Sequence, residues 1–403
     1  MLGRRDSSAS NLREVGPGES EENMSRSSEK DSIPRVGPID SSLEALSARG
    51  EQRNRQLDGY FRRRLRKQQE KFRASIDLDT SSLEGYEQAT AKLRARLLQE
   101  LGGWPQRPDK VKANVELLGE IGPGKLYEVN VSILDDVEMP ALLLIPKDAE
   151  TTPKPAVICQ HGYGASPEWA MGFDTPGISN YMNSAGHRLA SAGYVVIAPR
   201  IVCSPPGGGA DRVRFDRLAK LGGNSLLGFE MFELSRIVDY LQTRSEVKAD
   251  AIGMYGISQG GMSTLFFSAL EERIKAAVCS CYFNNRWNKM LEEDHLSRAT
   301  EAENLTYETY LSLTEDDKFD LLAAPLWDDH ILGALVCPRP FMAEIGRYDY
   351  VIYWRDAVEE FERLKKIYMR LGISDKVNSV VAEWGAHEMF FDDAKVFLDR
   401  WLL

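Results

Sequence analysis

The run Gly256-Ile257-Ser258-Gln259-Gly260-Gly261 constrains this chain more than any other feature, because of what flanks it. Upstream, Ala251 to Tyr255 is a short apolar run with strand character. Downstream, Met262, Leu265, Phe266, Ala269 and Leu270 repeat at helical spacing. The serine therefore falls at a strand-turn-helix junction. Such a turn holds Ser258 in a strained backbone conformation, and side chains at positions 256 and 260 would collide with the adjoining strand and helix. The N-terminus of the following helix supplies positive potential, and its N–H groups suit the oxyanion formed when a serine attacks a carbonyl. Ser258 is the expected nucleophile. A glycine-rich turn with an incidental serine would not need both flanking elements.

Strands and helices alternate around this junction. Glu128 to Leu134 and Ala141 to Ile145, separated by Asp135-Asp136, read as paired strands. Pro155 to Gln160, Tyr194 to Pro199, Ile274 to Cys281, Phe341 to Ile345 and Val377 to Glu383 read as further strands, with helical patterns between them. The expected class is α/β: one doubly covered, mostly parallel sheet that begins with an antiparallel hairpin. The charged, helix-prone interval 284–335 breaks the rhythm and reads as an inserted cap. Residues 1–55 are rich in Ser, Glu, Arg and Gly and are expected to be disordered. Residues 56–110 read as a helical arm and 111–403 as the enzyme-sized domain. The run Phe61-Arg-Arg-Arg-Leu-Arg-Lys within the arm reads as a solvated helix face.

The formal net charge of -11 argues against nucleic acid and anionic membranes as partners. No stretch approaches the roughly 20 apolar residues of a membrane span, and the start lacks the apolar core of a secretory signal. A cytoplasmic protein is expected, with no membrane span. Cys159, Cys203, Cys279, Cys281 and Cys337 are odd in number, and most sit in apolar runs, which suits reduced, buried thiols. No Cys/His spacing suggests a metal, and none is expected.

A serine on a strand-turn-helix junction is the signature of the α/β-hydrolase fold, which has the chain order nucleophile, acid, base. Of the five histidines only His387 follows the strand Val377 to Glu383, so it is the expected base. His161 and His187 precede Ser258, and His295 and His330 fall in the expected cap. The acid is expected just beyond Phe341 to Ile345, where Gly346-Arg347-Tyr348-Asp349 ends the apolar run. Asp349 fits, Asp356 competes, and Glu344 lies within the strand. The residue after the nucleophile and a residue in the loop His161-Gly162-Tyr163-Gly164 should aim their amides at the oxyanion, which points to Gln259 and Tyr163. His161 itself is expected to hold that loop by hydrogen bonds. Pro205-Pro206-Gly207-Gly208-Gly209 lacks the Lys-Ser/Thr of a phosphate loop and reads as a loop near the pocket.

At His161-Gly162-Tyr163, Gly256-Ile257-Ser258-Gln259-Gly260-Gly261 and His387-Glu388 the sequence resembles the acetyl xylan esterase and cephalosporin-C deacetylase family. More broadly, it resembles the dienelactone hydrolase-like and prolyl oligopeptidase-like branches of the α/β-hydrolases, over about 112–403. Where those deacetylases carry Arg-Gly-Gln, this chain reads Arg200-Ile201-Val202. The resemblance implies a serine esterase without a cofactor, acting on a small-molecule ester, with short-chain or acetyl esters foremost and room for a homo-oligomer. Peptidase or amidase action, lactone or carbon-carbon bond hydrolysis, and a non-catalytic binding scaffold are the alternatives.

Overall fold

The computed structural model describes residues 42–176, 180–202, 209–291, 306, 309–311 and 327–403. Contacts divide the chain after Gln68 into two compact units. The first contains most of helix α1 (Leu43–Ser75), almost wholly exposed over residues 42–68 and carrying i,i+4 ion pairs such as Arg62–Asp58 at 2.8 Å. Helix begins at Leu43, whereas disordered chain was expected to residue 55. Residues 43–55 lack proline and include the helix formers Leu43, Glu44, Ala45, Leu46, Glu51 and Gln52, which outweigh the scarcity of apolar residues. The basic run at 61–67 is mainly exposed, as a solvated face should be.

Everything from Gln69 onward belongs to the second unit, so the expected arm of 56–110 is not one body. Helix α2 (Leu83–Glu100), capped by the Ser82 hydroxyl accepting from Gly85 N, buries Tyr86, Leu93 and Leu97 in the main core. The Tyr86 hydroxyl donates to Ala334 O at 2.7 Å.

Nine strands, β1 (Ala113–Ile121), β2 (Gly124–Leu134), β3 (Val137–Pro146), β4 (Lys154–Gln160), β5 (Val195–Pro199), β6 (Val247–Ile257), β7 (Ile274–Ser280), β8 (Phe341–Gly346) and β9 (Val377–Ala382), form one sheet among the described residues. Their order is β1-β2-β3-β5-β4-β6-β7-β8-β9. The first three strands form an antiparallel meander joined antiparallel to β5, and the rest are parallel. The expected hairpin thus gains β1 as an outer strand.

Period-two alternation sends side chains to the two faces. Ala156, Ile158, Ile252 and Met254 meet α2, α6 (Leu226–Gln242), α7 (Gln259–Leu270), α9 (Asp329–Val336) and α10 (Trp354–Arg370). Val157, Cys159, Tyr255 and Ile257 meet α3 (Pro167–Ala170), α4 (Ala185–Ser191) and α11 (Phe391–Leu402). Two further α-helices are α5 (Gly209–Leu221) and α8 (Arg286–Leu291). None of these helices is long and apolar enough to cross a membrane.

Most of the expected cap, and the Pro205 to Gly208 part of the expected loop, lie outside the described residues, as do Cys203 and His295. The last part of that cap interval is a core element. In α9, Ile331, Leu332 and Leu335 are buried in the main core where the helix packs on α7, α10 and α2, because its apolar residues recur on a helical face. Asp329 at its start binds the buried Arg286 side chain and accepts from Asn284 N at 3.0 Å, pinning the segment after β7 to α9. Burial, opposed by Arg286, pushes the Asp329 carboxyl up to about 6.

Candidate active site

The strand order reverses direction between β5, β4 and β6, and such a switch opens a crevice at the carboxyl ends of the strands. Two loops meet there. After β6 the chain turns at Ser258 with φ 57° and ψ -120°, a conformation that costs on the order of 1–3 kcal/mol. The turn is braced by Ser258 N donating to Ser280 O at 3.0 Å, and α7 starts at once, with Met262 N donating to Ser258 O at 2.9 Å. The glycines are demanded by close approach. A Cβ at Gly256 would lie 2.3 Å from Gly260 O, and one at Gly260 would lie 2.2 Å from Gln160 O. Gln259 is the first residue of α7, where helix geometry leaves backbone N–H groups without intrahelical acceptors.

After β4, Gly162 packs directly on the serine: a Cβ there would lie 3.0 Å from Ser258 Cβ. His161 is fully buried, and its ring positions this loop. Nε2 accepts from Ile201 N at 3.2 Å, which leaves the proton on Nδ1 to donate to Gly162 O at 2.9 Å. Burial lowers its pKa to about 4, keeping the ring neutral and this tautomer in place. The loop-holding role read from the sequence matches these bonds. Tyr163 follows, its carbonyl accepting from the Tyr181 hydroxyl at 3.1 Å.

The remaining predicted residues come together between β8, β9 and α11. His387 Nδ1 lies 3.0 Å from each carboxylate oxygen of Asp349. Asp349 Oδ1 also accepts from Val351 N at 2.7 Å and Ile352 N at 3.3 Å, so the carboxylate is oriented by its own loop. Both residues are buried. Of the rival acids, Asp356 lies in α10 and accepts from the Asn288 amide at 2.9 Å. Glu344 is fully buried in β8, where Oε2 accepts from the Tyr255 hydroxyl at 2.9 Å and Phe390 N at 3.3 Å. His330 is bound through Nδ1 and its backbone N–H to Glu360, away from any such constellation.

Glu344 couples the site to pH. Burial, opposed by hydrogen bonds from Ser280, Tyr255 and Phe390, raises its carboxyl to about 7. A carboxyl raised above its unfolded value costs nothing while protonated in both states, and its cost grows as pH climbs from about 4.5 to about 7. Glu344→Gln should therefore flatten the fall in unfolding free energy across pH 5 to 7 by about 2 kcal/mol, read by urea denaturation at stepped pH. An unchanged slope would contradict this.

Two residues around His387 carried no sequence signal. Tyr181 sits beside the imidazole with ring centroids 5.9 Å apart, and its carbonyl accepts from Met389 N at 2.9 Å, so one residue bridges the loops of Tyr163 and His387. Cys281, in a left-handed conformation at φ 50°, places Sγ 3.3 Å from Glu388 O. The ligand atoms of Cys281, Asp349 and His387 lie within 4.8 Å of one another. That donor set would need a thiolate to hold a soft cation, yet burial, reinforced by Asp349, pushes the thiol well above its usual range. The group's geometry instead suits hydrogen bonding about the imidazole. A cavity of about 470 Å³ lies between the β1–β3 strands and α3, with the ion pair Arg200–Glu168 on its wall. None of Ser258, Asp349 or His387 lines it.

Comparison with known proteins follows the same lines. Residues 139–319 match the sequence pattern of the Dienelactone hydrolase family. The chain is 26% identical over 326 residues to YtaP, a Bacillus subtilis protein named as a hydrolase, covering 77% of this chain and 99% of that one. Among solved structures it is similar to a Bacteroides fragilis protein named as an acetyl xylan esterase, with a TM-score of 0.57, 16% identity, and coverage of 87% of this chain and 85% of the other. It is likewise similar to a glucuronoyl esterase from Solibacter usitatus, with a TM-score of 0.55, 15% identity, and coverage of 79% and 94%. At such identities these structures speak to the fold. The chain has the α/β-hydrolase fold, and its residues 139–319 are similar to the Dienelactone hydrolase family.

Proposed function

We propose that the chain is a serine hydrolase that cleaves carboxylic esters, foremost short-chain or acetyl esters, through an acyl-enzyme. The observation that carries this reading is the pairing of His387 Nδ1 with Asp349, together with a serine held at φ 57° on the residue just before a helix. Asp349 accepts a hydrogen bond from Nδ1–H, which stays protonated and leaves Nε2 as the basic nitrogen. Ser258 attacks the ester carbonyl as His387 takes its proton, and the oxyanion rests on the Tyr163 and Gln259 amides. His387 then protonates the leaving alcohol, and water repeats the sequence on the acyl group. Every group this needs is supplied by side chains and backbone, so no cofactor takes part.

The four described thiols, Cys159, Cys279, Cys281 and Cys337, are free and buried, which suits the reducing cytoplasm. The family match also favours a second substrate class, cyclic esters, handled by the same steps. The test is rapid mixing with p-nitrophenyl acetate, followed by intact-mass measurement and peptide mapping. A burst of p-nitrophenol equal to the enzyme concentration, with an acetyl group on Ser258, is expected. A linear trace with the acetyl group elsewhere would count against the reading.

A further inference from the structure

A second opening lies apart from the catalytic residues. Strands β1 to β3 extend the sheet beyond β5, and between them and α3 they leave the cavity of about 470 Å³, a size that suits a small molecule. Ile121, Leu126, Pro140 and Leu142 give it an apolar wall, because Leu126 and Leu142 lie on the sheet face that α3 covers. Leu118 and Phe173 border it while 49% and 44% exposed, so apolar side chains also stand at its mouth. The register of β1 shifts between Leu117 and Gly119, at the edge of this opening. Polar groups take two places. On one wall Arg200 Nη2 donates to Glu168 Oε1 at 2.6 Å, an ion pair already closed. On another stands Glu128, with Glu116 directly opposite it across β1 and β2. Partners across an antiparallel pair share a face with Cβ atoms about 5 Å apart, and like charges so placed repel. Both carboxylates are exposed.

We propose that this cavity is a second ligand site, separate from the catalytic serine, and that it takes a cationic amphiphile, an alkyl body ending in an ammonium group. Glu116 and Glu128 set the sign of the head group. A cation at this pair relieves a repulsion that the strand register itself creates. The apolar wall and the two side chains at the mouth set the body, where each buried methylene strengthens binding about fourfold. An anionic amphiphile would meet the same two carboxylates and would have to displace Glu168 from Arg200. The net charge of -11 disfavours it as well. A neutral chain would gain the wall alone. None of Ser258, Asp349 or His387 lines the cavity, so the site does not depend on the chemistry proposed for them.

The test uses the full chain as wild type, Glu128→Gln, Glu128→Lys and Phe173→Ala. The probe is octyltrimethylammonium below its micelle concentration, titrated calorimetrically beside tetramethylammonium, octanoate and 1-octanol. Wild type should bind the probe about tenfold more tightly than any of the three controls, since each lacks the body or the positive head. Glu128→Lys should raise its Kd about tenfold, and Glu128→Gln about threefold. Phe173→Ala should raise it about fivefold. Melting temperatures of the Glu128 variants should not fall, because the side chain is exposed and its loss removes a like-charge pair. Saturating probe should leave KM for p-nitrophenyl acetate unchanged, whereas a competitive rise would put the probe at Ser258 and overturn the second site. If no ester is turned over, the Glu128 series decides alone, so failure of the hydrolase reading leaves the site standing. No binding of the probe to wild type, octanoate or octanol binding as tightly as the probe, or an unchanged Kd in Glu128→Lys would each overturn the proposal.

Discussion

Ser258→Ala should lower kcat for p-nitrophenyl acetate on the order of 10⁶-fold while leaving the melting temperature near that of wild type. The size follows from the two-step chemistry: without Oγ there is no acyl-enzyme, and only oxyanion donors and binding remain to assist water. The fold should be indifferent. Alanine keeps the Cβ that packs against Gly162, and the bracing bonds Ser258 N to Ser280 O and Met262 N to Ser258 O are made by backbone. Steady-state kinetics and a thermal melt on the same preparation read both parts. A variant retaining a tenth of the activity would mean that another group attacks.

Asp349→Asn should cost about 10⁴-fold in kcat with little change in fold. The cause is a tautomer. Val351 N and Ile352 N donate to Oδ1, so an asparagine turned to keep those bonds would present its NH₂ to His387 Nδ1. The imidazole would then carry its proton on Nε2 and could not accept one from Ser258. Asp356→Asn serves as the comparison, since Asp356 is committed to Asn288 in α10 and should leave kcat within a few-fold of wild type. If the Asp356 variant were the slower of the two, the assignment of the acid would fall.

The parts of this molecule that could be read from sequence are those fixed by neighbours along the chain. The turn at Ser258 announces itself because close approach forbids side chains at Gly256 and Gly260, and because strand and helix periodicities change at that residue. Asp349 and His387 were found from strand ends and chain order, and the structure brings the two together. Strand β1 escaped because it is an outer strand, mostly exposed and with a register shift between Leu117 and Gly119, so its alternation is broken. Helix α9 was hidden because a charged interval surrounds its apolar face. Tyr181 and Cys281 carry no local signal at all. Their place beside His387 comes from the meeting of the loops after β4, β7 and β9, far apart in sequence.

The most direct test of the central claim is to treat the purified protein with a fluorophosphonate and map the adduct by peptide mass spectrometry. The account predicts stoichiometric phosphonylation at Ser258 alone, absent in Ser258→Ala. A folded wild type that takes up no label, or takes it at another serine, would contradict it.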